Sequence, residues 1–176
     1  IDLAIDNQCS DVVMVDVPLA VAGGFTEIVL TSIVENKMVT SFKLDGVEVI
    51  GNSFIAPEES GTVVISDVVI IDGVVIESEH NSYPDNLSNK VYGEARFNGA
   101  TSLNVELTYQ TESVGCDWVY LYDVNGNIKK KKKYGGSTLT TETIAVTGDY
   151  VKIVFRTDSS GNSYYGFKAV VTPNYE

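Results

Sequence analysis

The chain has 176 residues, 44% of them apolar and 20% charged, which supports one ordinary domain or two small ones and excludes a disordered tail. Asp plus Glu outnumber Lys plus Arg by 24 to 12, a formal charge of −12, so the overall field repels phosphate backbones and general nucleic-acid binding is not expected. No apolar run approaches the roughly 18 residues of a membrane span, and two Cys and one His write neither a zinc-finger spacing nor a disulfide framework.

Ile1 opens the chain without a start Met or signal peptide, which reads as a mature or excised piece of something longer. Short blocks of β-branched and aromatic residues, bounded by Gly, Asn, Asp or Pro, predict strands nearly everywhere. In the first part these are Asp11 to Val17, Glu27 to Ile33, Met38 to Lys43, Val47 to Ile50 and Thr62 to Val69. Asp45-Gly46 and Gly51-Asn52 mark tight connections. Residues 1–76 carry 12 acids against Lys37 and Lys43, whereas residues 77–176 carry 12 acids against 10 bases. That shift falls near the turn dipeptide Asp72-Gly73, which sets an expected boundary between modules 1–72 and 73–176.

In the second part, Ser102 to Tyr109 alternates cleanly, with Leu103, Val105, Leu107 and Tyr109 on one side, as a half-buried antiparallel strand does. Asp117 to Asp123 alternates likewise, and Asn125-Gly126 offers the residues of a two-residue primed hairpin turn. Thr143 to Val146, Tyr150 to Arg156 and Gly166 to Thr172 complete a set large enough for a two-sheet sandwich. The expected fold is therefore all-β: a small β module followed by an antiparallel β-sandwich.

Three acids fall where strands end: Glu112, Asp117 and Asp158. If Val119 and Leu121 face the core, the period of two puts Asp117 on the same side, where its charge needs compensation. Asp158-Ser159-Ser160-Gly161-Asn162 offers carboxylate, hydroxyl, amide and carbonyl oxygens together. With no soft ligand expected nearby, such a set favours Ca²⁺, with Mg²⁺ second. Spacing alone favours reading these residues as solvated loop acids of an acidic protein.

Residues 73–171 resemble a CUB domain through GVVIESEHNSYPDN, TES before CDWVYLYD, KYGG, and GDYVKIVFRTDSSGNSYYGFKAVV. The resemblance implies a calcium site of Glu112, Asp117 and Asp158, with carbonyl ligands near Ser160 or Gly161. The interval from Glu112 to Asp117 is a few residues shorter than is usual in that family. Its Tyr-Cys-Gly stands here as Tyr134-Gly135-Gly136, so Cys116 is either a free thiol or a partner of Cys9. The cysteine-poor form is similar to bacterial modules of secreted or cell-surface proteins. Residues 20–70 resemble bacterial surface repeats of the internalin B-repeat, β-grasp-like type, through Met38 to Gly46, Asn52 to Phe54 and Ala56-Pro57; this implies a spacer.

Other residues bear on ligands. Lys129 to Lys133 suits a solvated hairpin tip, or contact with an anionic polymer that a roughly 8 Å Debye length confines to that tip. Trp118, Tyr120 and Tyr122 share a strand face, and Tyr164-Tyr165 follow Asp158; they serve either as packing or as a platform for sugar rings. A nucleophilic Cys116 would need His80 within about 3 Å and a third group to orient the ring, and no catalysis is expected. The expectation is a calcium-organised recognition or adhesion module of the bacterial cell exterior, binding a protein or glycan. A carbohydrate-binding module and an inert spacer are the alternatives.

Overall fold

The computed structural model describes residues 1–127 and 133–176; of the lysine run expected at a hairpin tip, only Lys133 lies within the described residues. The chain divides into two compact units, Ile1–Asp72 and Gly73–Glu176, each all-β. No helix among the described residues is long and apolar enough to cross a membrane.

The first unit contains β1 (Leu3–Asn7), β2 (Val13–Asp16), β3 (Glu27–Ser32), β4 (Lys37–Leu44), β5 (Val47–Ile50), β6 (Ser53–Ile55) and β7 (Gly61–Asp72). They form one sheet of order β1-β7-β4-β5 and a smaller one of order β2-β3-β6. Strand β1 runs parallel to β7, while β4 and β5 form a hairpin. Asp45 and Gly46 both take positive φ, 50° and 81°, as a primed two-residue turn requires. Ile28, Leu30, Phe42 and Ile65 are nearly inaccessible and anchor the core of this unit. Strands β1 and β6 escape sequence reading because they are short and their alternation is too brief to stand out.

The second unit contains β8 (Val74–Glu77), β9 (Lys90–Arg96), β10 (Ser102–Gln110), β11 (Trp118–Tyr122), β12 (Thr140–Thr147), β13 (Tyr150–Arg156) and β14 (Gly166–Asn174). One sheet has the order β12-β10-β14-β8 and the other β11-β13-β9. Leu103, Val105 and Leu107 of the first sheet and Val119, Leu121, Val151, Ile153 and Phe155 of the second are all 0% exposed and share one apolar cluster. Each such side chain contributes about 1.5–3 kcal/mol of burial, so the alternation in β10, β11 and β13 determines which face closes the sandwich.

Two local expectations are corrected. The connection after β11 is not a two-residue primed turn: Gly126 has φ of 77°, but Asn125 is not in the left-handed region. Asp123 instead caps a longer turn, its Oδ1 accepting from the backbone N–H of Asn125 and Asn127 at 3.0 and 2.9 Å. Strand β9 was not foreseen because its register shifts opposite Ile153/Val154, which interrupts the alternation. A Cβ on Gly93 would lie 3.1 Å from Ile76, so this glycine admits the closely packed Ile76.

Candidate metal centre

Strand β10 ends at Gln110, and the chain reaches β11 through a tight turn in which the N–H groups of Cys116 and Asp117 both donate to the Ser113 carbonyl, at 3.1 and 2.9 Å. Thr111 Oγ1 donates to the Asp117 carbonyl at 3.0 Å and accepts from Gly136 N–H at 2.9 Å. Gly135 lies against the same carbonyl, where a Cβ would come within 2.5 Å of the oxygen. The Gly135-Gly136 pair thus lets the backbone close over the start of β11.

Asp117 is 0% exposed, on the core side that the phase of Val119 and Leu121 demands. Its charge is met by donors: Tyr83 O–H gives a hydrogen bond of 2.6 Å to Oδ2, and Asp158 N–H one of 2.9 Å to Oδ1. Tyr83 is itself buried, and its hydroxyl accepts from Glu112 N–H at 3.3 Å. Burial, then the hydrogen bond and charge of Asp117, push this phenol far above its ordinary range. A Tyr–Asp pair of this kind is a charge-assisted hydrogen bond that ties three loops together.

The late loop is fastened to the Tyr83 loop by several bonds. Asn86 N–H donates to the Asp158 carbonyl at 2.6 Å, Tyr83 N–H to Asn162 at 3.3 Å, and Thr157 Oγ1–H to Pro84 at 2.8 Å. Asp158 Oδ1 accepts from Ser160 N–H at 3.0 Å. Gly161 has φ of 74°, and a Cβ there would lie 2.5 Å from Glu112 Oε2, so the loop backbone passes directly over the Glu112 carboxylate. The Gly161 carbonyl is 3.4 Å from Tyr83 Oη.

Glu112, Cys116 and Asp158 each bring one potential ligand atom within 4.8 Å of the others, a potential metal-binding cluster. Asp117 sits behind it with both carboxylate oxygens held by protein donors, while Glu112 Oε2 is buried and has no hydrogen-bond partner among the described residues. Ser160 reaches this end through its backbone, and its side chain is exposed. The expectation of no soft ligand nearby is corrected, since the Cys116 sulfur lies beside the two carboxylates. Both cysteines are free thiols. A Ser113 hydrogen bond lowers the Cys116 pKa, but desolvation, the Asp158 hydrogen bond and the charges of Glu112 and Asp158 outweigh it and raise the thiol.

The other candidates lie apart from this cluster. Trp118 is 4% exposed, on the outer side of β11 with Tyr120 and Tyr122. Lys133 and Arg156 stand over its ring at 3.6 and 4.7 Å. Tyr164 packs against the core, and Tyr165 stacks on His80 at 4.2 Å. His80 is engaged at both nitrogens, with the Tyr165 carbonyl at 2.8 Å and Glu77 Oε2 at 2.7 Å; the Cys116 cluster contains no histidine. Sequence reasoning missed Tyr83 and weighed Cys116 only as a thiol, not as a member of this cluster; the only local signal for Tyr83 was its place before Pro84 in a loop rich in Asn and Ser.

No family model matches the chain, and no curated protein matches it significantly. Among solved structures, a chain from the infectious bursal disease virus Gt strain matches over 61% of this chain and 36% of its own, with 18% identity and a TM-score of 0.25. A chain from the Gx strain of that virus matches over 84% and 42%, with 14% identity and a TM-score of 0.27. The present chain therefore spans less than half the length of either viral chain, and similarities at these TM-scores bear on neither its fold nor its function.

Proposed function

We propose that Gly73–Glu176 is a CUB-like, non-catalytic recognition module of a bacterial secreted or cell-surface protein. In this reading Ca²⁺ at the Glu112 end orders a loop surface for an extracellular protein or glycan, and Ile1–Asp72 is a spacer. The observation that carries it is the Glu112 carboxylate: Oε2 is buried without a partner, in a cluster that includes the Asp158 carboxylate. A buried anion beside another anion is costly unless a cation joins them. Glu112 and Asp158 would supply the charged ligands, the Ser160-Gly161 backbone a carbonyl, and Asp117 with Tyr83 the buried anchor that keeps the loops in register.

The donor set argues for a hard cation. Carboxylate and carbonyl oxygens in an irregular loop suit the variable coordination of Ca²⁺ better than the octahedron of Mg²⁺. The two carboxylates and the backbone carbonyls outnumber the single thiol, and Ca²⁺ takes oxygen ligands. Calorimetric titration with Ca²⁺ tests the reading: one ion per chain is expected, with binding lost in Asp158→Asn. Absence of any binding heat, together with an unchanged melting temperature in excess Ca²⁺, would overturn it.

A further inference from the structure

On the outer side of sheet β11-β13-β9, opposite the core, the exposed phase of β11 carries Trp118, Tyr120 and Tyr122. That of β13 carries Tyr150, Lys152, Val154 and Arg156. Arg156 lies directly across from Trp118, and Lys152 across from Tyr122. Lys133 is brought to the same edge because the next residue, Tyr134, bridges Val119. In a protein with a formal charge of −12, this places Lys133, Lys152 and Arg156 on one face. Among the described residues none of the three forms an ion pair with a carboxylate.

At one end of this row, two cations gather at one indole. Trp118 is 4% exposed, and among the described residues its buried indole Nε1–H has no hydrogen-bond partner. The Lys133 ammonium and Arg156 guanidinium lie 3.6 and 4.7 Å from the same ring. An ammonium and a guanidinium side by side fit an oxyanion. A second cationic station follows where Lys152 stands 5.3 Å over Tyr122, with Glu94 of β9 across from it on the other side. Four residues of strand separate the two stations, about 14 Å at ~3.4 Å per residue, a spacing that suits a chain of repeated anions rather than one small ion.

We propose that this face binds an acidic polysaccharide, its carboxylate or sulfate groups seated at Arg156 and Lys133 and again at Lys152. The Tyr120 hydroxyl between the stations suits a ligand rich in hydroxyl groups. A stacked nucleic acid is disfavoured, because the Trp118 ring is already capped by cations and the Trp118–Tyr120 pair meets edge to face at 90°, which leaves no open row of ring faces. The proposal does not depend on the calcium reading, since none of these residues belongs to the Glu112–Cys116–Asp158 cluster.

Trp118 is the sole tryptophan, so its fluorescence reports the site directly. The whole chain is titrated at low salt with polygalacturonate for the carboxylate form, heparin for the sulfate form, neutral dextran, and duplex DNA, each with Ca²⁺ and with chelator. A saturable change in emission is expected with at least one acidic polysaccharide, none with dextran, and the same affinity with or without Ca²⁺. Arg156→Gln with Lys133→Gln should weaken binding about tenfold or more. Lys152→Gln, at a separate half-buried position, gives an independent loss if the double variant fails to fold. The proposal is overturned if neither acidic polysaccharide alters the emission, if these variants bind unchanged, or if duplex DNA binds as tightly as the polysaccharides.

Discussion

Replacing Glu112 by Gln should act with opposite sign in the presence and absence of metal. Ligand oxygens of Glu112 and Asp158 lie within 4.8 Å of one another; unit charges at that distance repel by about 1 kcal/mol in bulk water and about 3.5 kcal/mol at an effective dielectric of 20. Both residues are half-buried, so a gain of about 2 kcal/mol is expected for the metal-free variant. In a unit of this size that raises the melting temperature by roughly 8 °C or more. The same change removes a charged ligand, so the calcium-induced increment, about 2.7 kcal/mol at 100 times Kd in the parent chain, should largely disappear. Differential scanning calorimetry with chelator and with excess Ca²⁺ measures both effects. A metal-free variant that melts lower than the parent, or one that keeps the full calcium increment, would refute the reasoning.

Two further outcomes follow from neighbouring groups. Tyr83→Phe keeps the buried ring but deletes the 2.6 Å bond to Asp117, leaving an ionised carboxylate short of a donor; a loss of about 1.5–3 kcal/mol in urea unfolding is expected, and a loss within error would show that Asp117 is compensated elsewhere. The raised pKa of Cys116 means that its stabilising contribution is complete below the ordinary thiol value of 9.0 and is lost as pH rises through the higher folded-state value. Metal-free protein should therefore lose stability above about pH 9, Cys116→Ser should flatten that decline, and alkylation of Cys116 should be slower than for an unfolded-chain cysteine. A decline unaltered by the serine would assign it to other groups.

The all-β character was legible because burial in a sheet is written with a period of two. Leu103, Val105 and Leu107 repeat on one side of β10, and each is fully buried. The same phase places Asp117 inside from the identity of Val119 and Leu121 alone. What alternation cannot encode is which distant loops share the sandwich end. Tyr83 reaches Asp117 across 34 positions of sequence, and Asp158 N–H across 41. Neither residue carries a local pattern that announces its partner. Cys116 was set aside for the opposite reason: one position from Asp117, it was judged by its pairing chemistry and not by where the turn at Ser113 would direct its sulfur.

The same limit governs the outer face. Composition spreads ten bases through the second part of the chain, and no spacing along the sequence groups Lys133 with Arg156. Antiparallel register does so, by setting Arg156 opposite Trp118, and the Val119–Tyr134 bridge brings Lys133 to the same indole. Anions thus gather where loops leave the sheets, while Lys133, Lys152 and Arg156 meet on the flat of one sheet, with Glu94 across from Lys152. Opposite charges on separate surfaces of one small unit make the two proposed ligands, a divalent cation and a polyanion, independent in chemistry. Chelation should therefore abolish the calcium increment in stability and leave the Trp118 signal for a polyanion intact.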